Sequence, residues 1–293
     1  FMLVRILPGD EVTARVAESG NLRPGDLAKL RHTLGFDKPF YEAYPEWLGG
    51  VLHGDFGKSV RSGVSVSSRL SQALPISVEL AVLAVLLACA IGLPAGIISA
   101  VYRSSPIDLL VRLLAITGLS MPSFWTGTLA LVLPAFWWHY LPPLTYVRLS
   151  DNPLDNLRIL IVPAAVIGLG SGAVISRLVR SMMLEVLRED YVRTARAKGL
   201  SQRVVILRHT LRNAMIPIVE VIARQFGALI GGTVILESIF SLPGVGRLTL
   251  TSIQQRDYPQ IQANALFFAL VLVMVNLAID IIYASLDPRI RYD

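Results

Sequence analysis

The chain has 293 residues, of which 53% are hydrophobic and 16% are charged, whereas about 25% of residues are charged in a typical soluble domain. Its long uncharged runs exclude an ordinary soluble fold, because a helix needs about 20 apolar residues to cross a bilayer. The net charge of +6 would suggest nucleic acid in a soluble protein, but here its placement predicts lipid and no nucleic-acid partner. The single Cys89 and four scattered histidines give no disulfide scaffold and no metal-ligand spacing.

Four runs without Asp, Glu, Lys or Arg predict four transmembrane helices: Leu80–Tyr102, Leu113–Trp138, Ile159–Ser176 and Tyr258–Ile279. A fifth run, Asn213–Leu236, carries Glu220 and Arg224. These two side chains lie four residues apart on one helical face, the form in which a span tolerates ionised groups. The predicted spans are about 76–102, 110–138, 159–184, 213–236 and 260–284.

The opening residues 1–7, FMLVRIL, are apolar but too few to cross a bilayer. We interpret them as the end of a first span that begins before the sequence given, which predicts six spans in the full protein. A signal remnant or a frayed end remains the alternative.

Lysine and arginine in the loops predict the orientation. Thirteen of them lie in 103–112, 177–212 and the stretch after the last span, and four lie in the alternate loops 139–158 and 237–257. The first group is therefore predicted to face the cytoplasm, together with a C-terminal tail at 286–293. Residues 8–73 would be an extracytoplasmic segment with one or two short helices, and residues 74–285 the transmembrane core.

Proline and glycine shape the predicted helices. Pro122 is expected to kink the second predicted span within this sequence, because it lacks a backbone donor. The pair Gly227 and Gly231 and the group Gly168, Gly170 and Gly172 are expected to allow close helix contact. With polar Gln225, these features predict that the third, fourth and fifth of the six spans line a path. The candidate path residues are Pro122, Ser123, Ser171, Glu220, Arg224 and Gln225.

No catalytic centre is visible. The GKS at 57–59 resembles the end of a phosphate-binding loop, but Leu52 stands where that motif needs glycine. There is no Ser-His-Asp set and no HExxH, and no carboxylate pair has a spacing that suggests hydrolysis. Asp108, Glu79 and Asp280 lie near span ends, where snorkelling or local pairing is expected. We therefore predict no catalytic residue, metal or cofactor in this chain.

The loop at 185–212 is densely basic. Asp190 is a candidate N-cap for a short helix over 191–198, and Gly199 suits the left-handed position after its end. Ser201 can cap a second short helix that precedes the next span. Such a hairpin would either lie on anionic lipid or dock into a cytoplasmic partner. Ala195 and Ala197 would allow close approach, and the arginines could pair with acidic groups.

The segment YVRTARAKGL…ILRHTLRNAMIP resembles the coupling loop of permease subunits in ABC importers, in particular the dipeptide, oligopeptide and nickel branch. LPGD at 7–10, GDFGKS at 54–59, GLSMPSFW at 118–125, GTVILESIFSLPGVGRL at 232–248 and LDPRIR at 286–291 are similar to other segments of that branch, in the same order.

The resemblance implies an all-α, six-helix type I importer permease fold in a bacterial or archaeal cytoplasmic membrane. It implies a heterodimer with a second, homologous permease, two cytoplasmic subunits that bind ATP and Mg²⁺, and an extracytoplasmic solute-binding protein. The residues expected to contact an ATPase subunit are Glu189, Asp190, Tyr191, Arg193, Thr194, Ala195, Arg196, Ala197, Lys198, Gly199 and Leu200.

The predicted function is half of an ATP-driven import path for a small solute, with di- or oligopeptides expected first. A nickel chelate, glutathione or an oligosaccharide remains open as the solute. A channel or ion-driven carrier that works without ATP is the alternative of another class. An integral membrane enzyme is a third option, and neither of these explains the basic loop.

Overall fold

The computed structural model describes residues 38–59, 61–143 and 145–286, and the regular elements of this described part are helices, with one isolated bridge between Lys58 and Ser65. The predicted all-α class is therefore confirmed. The elements, in chain order, are α1 (Phe40–Leu52), α2 (Val66–Val101), α3 (Pro106–Ser120), α4 (Ser123–Trp138), α5 (Pro153–Val186), α6 (Asp190–Ala197), α7 (Gln202–Val204), a π-helix (Val205–Leu211), α8 (Arg212–Gly232), α9 (Val234–Ile239), α10 (Val245–Gln254) and α11 (Tyr258–Leu286).

Four of these segments are long and apolar enough to span a bilayer: Val66–Val101, Pro153–Val186, Gln202–Gly231 and Tyr258–Ile281. The pair α3 and α4 reaches that length and apolarity only when both helices are taken together. The five predicted spans overlap these segments. The predictions for residues 1–7 and for the tail after 286 lie outside the described residues, as do the first 30 residues of the predicted outer segment.

The helices extend beyond the uncharged runs. Their first residues are set by N-cap residues, and not by the point at which the sequence becomes apolar. At α5, the side chain of Asn152 accepts hydrogen bonds from the backbone N–H groups of Leu154 and Asp155, and Pro153 occupies the first helical position. Asparagine at the N-cap followed by proline is a strong start signal. The helix therefore begins six residues before the uncharged run that predicted it.

Proline 122 causes a full break, larger than the kink predicted from the sequence. Met121 and Pro122 are extended, α4 begins at Ser123, and the axes of α3 and α4 differ by 97°. A residue before proline avoids the helical region, and proline itself cannot donate to the preceding turn. One continuous helix over 110–138 is therefore wrong, and the second predicted span is two helices.

The centre of the fold is the contact between α2 and α5, where small residues bring two backbones together. A methyl group built on Gly92 would lie 2.6 Å from the carbonyl oxygen of Gly172, and one on Gly96 would lie 2.6 Å from that of Ser176. From the other side, a methyl on Gly168 would lie 2.9 Å from Leu87 Cβ. Close backbone approach is the usual way in which helices associate in lipid, where apolar burial gives little driving force.

The glycine predictions are confirmed in part. Gly168 and Gly172 make the close contact expected of them, and Gly227 lies against Val275 of α11. Gly170 faces open space, so its predicted packing role is wrong. The helical period explains the difference, because Gly168 and Gly172 share one face and Gly170 lies on another.

Four polar side chains of α2 tie this helix to distant parts of the chain. Arg69 Nη1 lies 3.0 Å from Asp257 Oδ2 at the start of α11, and Ser77 Oγ donates to Glu237 Oε1 of α9 at 2.7 Å. Glu79 accepts from Tyr146 and Asn156, and Ser99 donates to Asp108 of α3. Local pairing is therefore wrong for Glu79, whose partners lie 67 or more positions away. For Asp108 it is only part of the outcome, because this carboxylate contacts Arg112 on its own helix and also Arg180, 72 positions away.

The Tyr146 phenol lies in the loop between α4 and α5 and donates to Glu79 Oε2 at 2.8 Å. Burial and the neighbouring carboxylate raise the pKa of Tyr146 above its usual value. The hydroxyl therefore stays protonated and remains a donor, which holds this loop on the first half of α2.

A matched pair of glycine substitutions tests the α2–α5 contact. We expect Gly92→Ala to destabilise the protein by about 1–3 kcal/mol, because the added methyl meets a backbone carbonyl that cannot move aside. Gly170→Ala, in the same kind of helix but facing open space, should be neutral or slightly stabilising. The measurement is the thermal unfolding midpoint of each purified variant in detergent. Equal midpoints for both variants would contradict the interpretation.

Candidate functional site

The predicted docking helix is present as α6, with its start shifted by one residue. The N-cap is Glu189, whose carbonyl accepts from the N–H groups of Val192 and Arg193, and Asp190 is the first helical residue. The assignment of Asp190 as the N-cap is therefore wrong. Gly199 has a φ of +78°, as predicted for the residue after the helix end, and its N–H donates to the Arg196 carbonyl. Only glycine adopts this conformation without steric cost.

One face of α6 is held against the protein. Val192 and Ala195 are buried in a small apolar cluster with Val205, Val186 and Leu187. Ala195 therefore packs against the chain itself and is not available for the close approach to a partner predicted from the sequence. The remaining predicted contact residues are exposed: Glu189, Asp190, Tyr191, Arg193, Thr194, Arg196, Ala197, Lys198, Gly199 and Leu200.

A side-chain hydrogen bond joins α6 to the start of α8. Asn213 Nδ2 donates to the Tyr191 hydroxyl and to the His209 carbonyl, both at 2.9 Å. Together with the apolar cluster, this bond places α6 at the junction of α5 and α8. The Asp190–Arg193 ion pair at 3.4 Å contributes little, since both side chains are largely exposed.

The second predicted short helix is not a separate element. Ser201 is the N-cap as predicted, although its side chain makes no capping bond, and the helix continues from Gln202 through the π-helical turns into α8. No glycine or proline interrupts residues 202–216, so nothing ends the helix before the apolar run begins. The buried Thr210 hydroxyl donates to the Val205 carbonyl at 3.1 Å, within the π-helix. Short π-helical insertions are frequent at functional sites.

The predicted path residues fall into two groups. Ser123 and Ser171 line one open cavity of about 950 Å³, bordered mainly by α3, α4 and α5, with single residues or pairs from α2, α8 and α9. Its walls are mainly apolar, and its other hydroxyls come from Thr117, Thr126, Ser176 and Thr233. Pro122 does not line it but sets the break after which Ser123 begins α4.

The other predicted path residues lie on α8 outside this cavity. Arg224 Nη1 lies 2.8 Å from Glu220 Oε1, which confirms the predicted pairing of the two charges. The pair is partly exposed, with 58% of the Arg224 side chain and 27% of the Glu220 side chain accessible. Gln225 Oε1 is buried, and within the described residues no donor reaches it.

The GKS sequence has a structural role. Ser59 Oγ donates to Asp257 Oδ2 at 2.5 Å and accepts from Arg69 Nη1 at 3.1 Å. This arrangement fastens the segment after α1 to α2 and α11 and leaves the hydroxyl unavailable to a phosphate. Within the described ranges, no three His, Cys, Asp or Glu side chains lie together as metal ligands would.

A second buried ion pair, missed in the sequence, joins α3 and α5. Arg180 donates to both oxygens of Asp108, from Nε at 2.9 Å and from Nη2 at 3.0 Å. The sequence did carry one signal: Ser105 and Pro106 mark a helix start three residues before Asp108. The partner could not be found from the sequence, because it lies 72 residues away on another helix.

The chain matches the family model described as binding-protein-dependent transport system inner membrane component, over residues 92–292. It is 41% identical to the dipeptide transport system permease protein DppB of Escherichia coli (strain K12), with 100% of this chain and 93% of that protein covered. It is 40% identical to the di/tripeptide transport system permease protein DppB of Pseudomonas aeruginosa (strain UCBPP-PA14), with the same coverage. A putative peptide transport system permease protein of Brucella abortus (strain 2308) is 38% identical, again over 100% and 93% of the two chains.

Solved structures share the fold at low sequence identity. A crystal structure of an amino acid ABC transporter with histidines superposes with a TM-score of 0.60 and 13% identity, covering 75% of this chain and 94% of that one. The MetNI methionine ABC transporter in an inward-facing conformation gives 0.59 and 14%, covering 74% and 96%. The fold prediction is thus confirmed at the level of an ABC importer permease, and the chain belongs to the family of binding-protein-dependent transport system inner membrane components.

Proposed function

We propose that this chain forms half of the membrane path of an ATP-driven importer for di- and oligopeptides. A second, homologous permease would form the other half, two cytoplasmic ATPase subunits would bind ATP and Mg²⁺, and an extracytoplasmic binding protein would deliver the solute. The dipeptide and di/tripeptide systems of the two DppB relatives support a peptide as the solute. A nickel chelate, glutathione or an oligosaccharide would use the same machinery.

The observation that carries the proposal is the placement of α6. This short helix presents exposed Arg193, Arg196 and Lys198 while its other face is fixed to α5 and the π-helix. A surface that bound only anionic lipid would not also expose acidic groups, yet Glu185, Glu189 and Asp190 are exposed beside the cations. Mixed charges on a compact, well-anchored helix fit a protein partner better.

The loop charges support an orientation in which α6 and the C-terminus face the cytoplasm. ATP would then close the two ATPase subunits and move α6. Helices α5 and α8 would follow, because α6 packs on the end of α5 and is hydrogen-bonded to α8. Alternating access by such rigid-body movement is a common mode of conformational change in membrane transport.

The cavity bordered mainly by α3, α4 and α5 supports a passage for varied solutes. Its volume of about 950 Å³ lies at the upper end of small-molecule sites. No charged side chain lines it among the described residues, and scattered hydroxyls supply weak polar contacts. Such walls admit peptides of different sequence, because they impose no fixed charge partner on a side chain.

Co-purification tests the proposal most directly. With this chain tagged in its native cell, we expect a second permease and one or two ATPase subunits to purify with it. The ATPase activity of that complex should rise when the solute-loaded binding protein is added. A chain that purifies alone and passes solute without ATP would instead support a channel or carrier.

The turn at Gly199 gives a second prediction. Gly199→Leu should lower uptake at least about tenfold while ATP hydrolysis continues, because leucine in a left-handed turn costs roughly 1–2 kcal/mol and displaces α6. Gly63→Leu is the matched control: Gly63 also has a positive φ and open surroundings, but it precedes α2. Both variants are assayed for uptake and ATPase activity in proteoliposomes. Normal uptake by Gly199→Leu, or equal losses in both variants, would exclude a coupling role for this turn.

Cysteine labelling tests the cavity as part of the path. In a Cys89→Ala background, Ser123→Cys and Ser171→Cys should react with a membrane-impermeant thiol reagent in the assembled transporter, and transported peptide should slow the reaction. Ala84→Cys, buried between α2 and α5, should stay unlabelled. Gln225→Cys serves as the test of whether the path extends along α8. If neither serine position reacts, the cavity is not part of the path.

A further inference from the structure

We propose that the Asp108–Arg180 ion pair transmits the movement of α6 to α3 and α4, and so couples ATP hydrolysis to opening of the cavity. Both are positioning residues in this inference. It rests on the proposed function, because it assumes that a partner ATPase moves α6.

The geometry of the pair is that of a rigid joint. Arg180 binds both carboxylate oxygens of Asp108 in a fork, and Asp108 also accepts from Ser99 Oγ at 2.5 Å and from the Ser104 N–H at 3.0 Å. The Asp108 side chain is only 1% exposed. A bidentate, charge-assisted contact fixes orientation as well as distance, so two elements joined by it move together.

Arg180 belongs to the unit that carries α6. It lies in the last two turns of α5, and α5 ends at Val186. Val186 and Leu187 pack directly on Val192 and Ala195 of α6. A displacement of α6 therefore reaches Arg180 through one short, packed stretch of helix.

Asp108 belongs to the unit that forms one wall of the cavity. It lies in the first turn of α3, and Val111, Leu114 and Thr117 further along that helix line the cavity. Of the residues in α3, all of which the structure describes, Asp108 alone is buried. The helix is thus held at its first turn by this carboxylate, while the rest of its length is partly or fully exposed.

The break between α3 and α4 allows α3 to change its angle relative to α4 when the ion pair moves it. The axes diverge by 97° at Met121 and Pro122, and the extended residues between them can absorb a change in angle. When α5 tilts, a joint at Asp108 would draw the start of α3 with it and change the cavity at the break.

The first test compares two lysine variants. Arg180→Lys keeps the positive charge but loses the fork across two helices. Arg112→Lys is the matched control, since Arg112 Nε lies 3.4 Å from the same carboxylate. Arg112 and Asp108 both belong to α3, so this pair does not connect two helices. The probe is a dipeptide in proteoliposomes that contain the complete transporter and its binding protein. The quantity measured is ATP hydrolysed per dipeptide taken up.

We expect Arg180→Lys to raise that ratio about fivefold or more, in the range of typical coupling between sites, and Arg112→Lys to leave it near the wild-type value. Equal ratios in the two variants would overturn the inference.

A second variant separates coupling from folding. Asp108→Asn alone leaves a buried guanidinium without its counter-charge, which can prevent assembly. The double variant Asp108→Asn with Arg180→Gln removes both charges, and we expect it to assemble in wild-type yield while the ratio stays raised. A merely structural pair would give assembly and a normal ratio together, and that result would also overturn the inference.

The wild-type transporter distinguishes this inference from the proposed function. If the wild type shows no ATP-dependent uptake of dipeptide, the proposed function fails. If wild-type uptake is coupled and both the lysine and the double variant keep the wild-type ratio, only the role of Asp108 and Arg180 is wrong.

Discussion

The close contact between α2 and α5 is the constraint on which the rest of the structure depends. Two backbones can approach this closely only where Gly92 and Gly96 meet Gly172 and Ser176 without side chains between them. In lipid, this contact replaces the hydrophobic core of a soluble protein as the source of cohesion. The other helices are arranged around it, and both the cavity and α6 are positioned by α5.

Polar side chains of α2 fix the alignment of the helices that the small residues bring into contact. Apolar helices slide and rotate easily against one another in lipid, so their register needs directional contacts. Ser77 and Glu79 provide these near one end of α2 and Ser99 near the other, and each bonds to a different element. The same helix therefore supplies both the close contact and the alignment of its neighbours.

The sequence predicted the helical class, the approximate positions of the apolar segments, a kink at Pro122 (though not the full break) and the turn at Gly199, because each depends on local chemistry. The joining of α7 to α8 was missed although residues 202–216 contain no glycine or proline, whereas the π-helical form of that join depends on how Thr210 packs in the folded chain. The sequence also missed Ala195 facing inward and Gly170 facing outward, because these orientations depend on which neighbour each helix meets. The long-range partners of Asp108 and Glu79 were inaccessible for the same reason, as nothing in one sequence pairs residues far apart in the chain.

The arrangement of α2 also has a consequence for how the protein is made. Its small-residue face, with Gly92 and Gly96, has no partner until α5 emerges from the ribosome. At about 5–20 residues per second, the chain from Val101 to Pro153 takes roughly 3–10 s to synthesise. During that interval Ser77 and Glu79 lie near the membrane before their partners Glu237 and Asn156 have been made, and Tyr146 is made only near its end. Until the later helices are inserted, the polar groups of the nascent α2 must therefore be hydrogen-bonded by water, lipid headgroups or the insertion machinery.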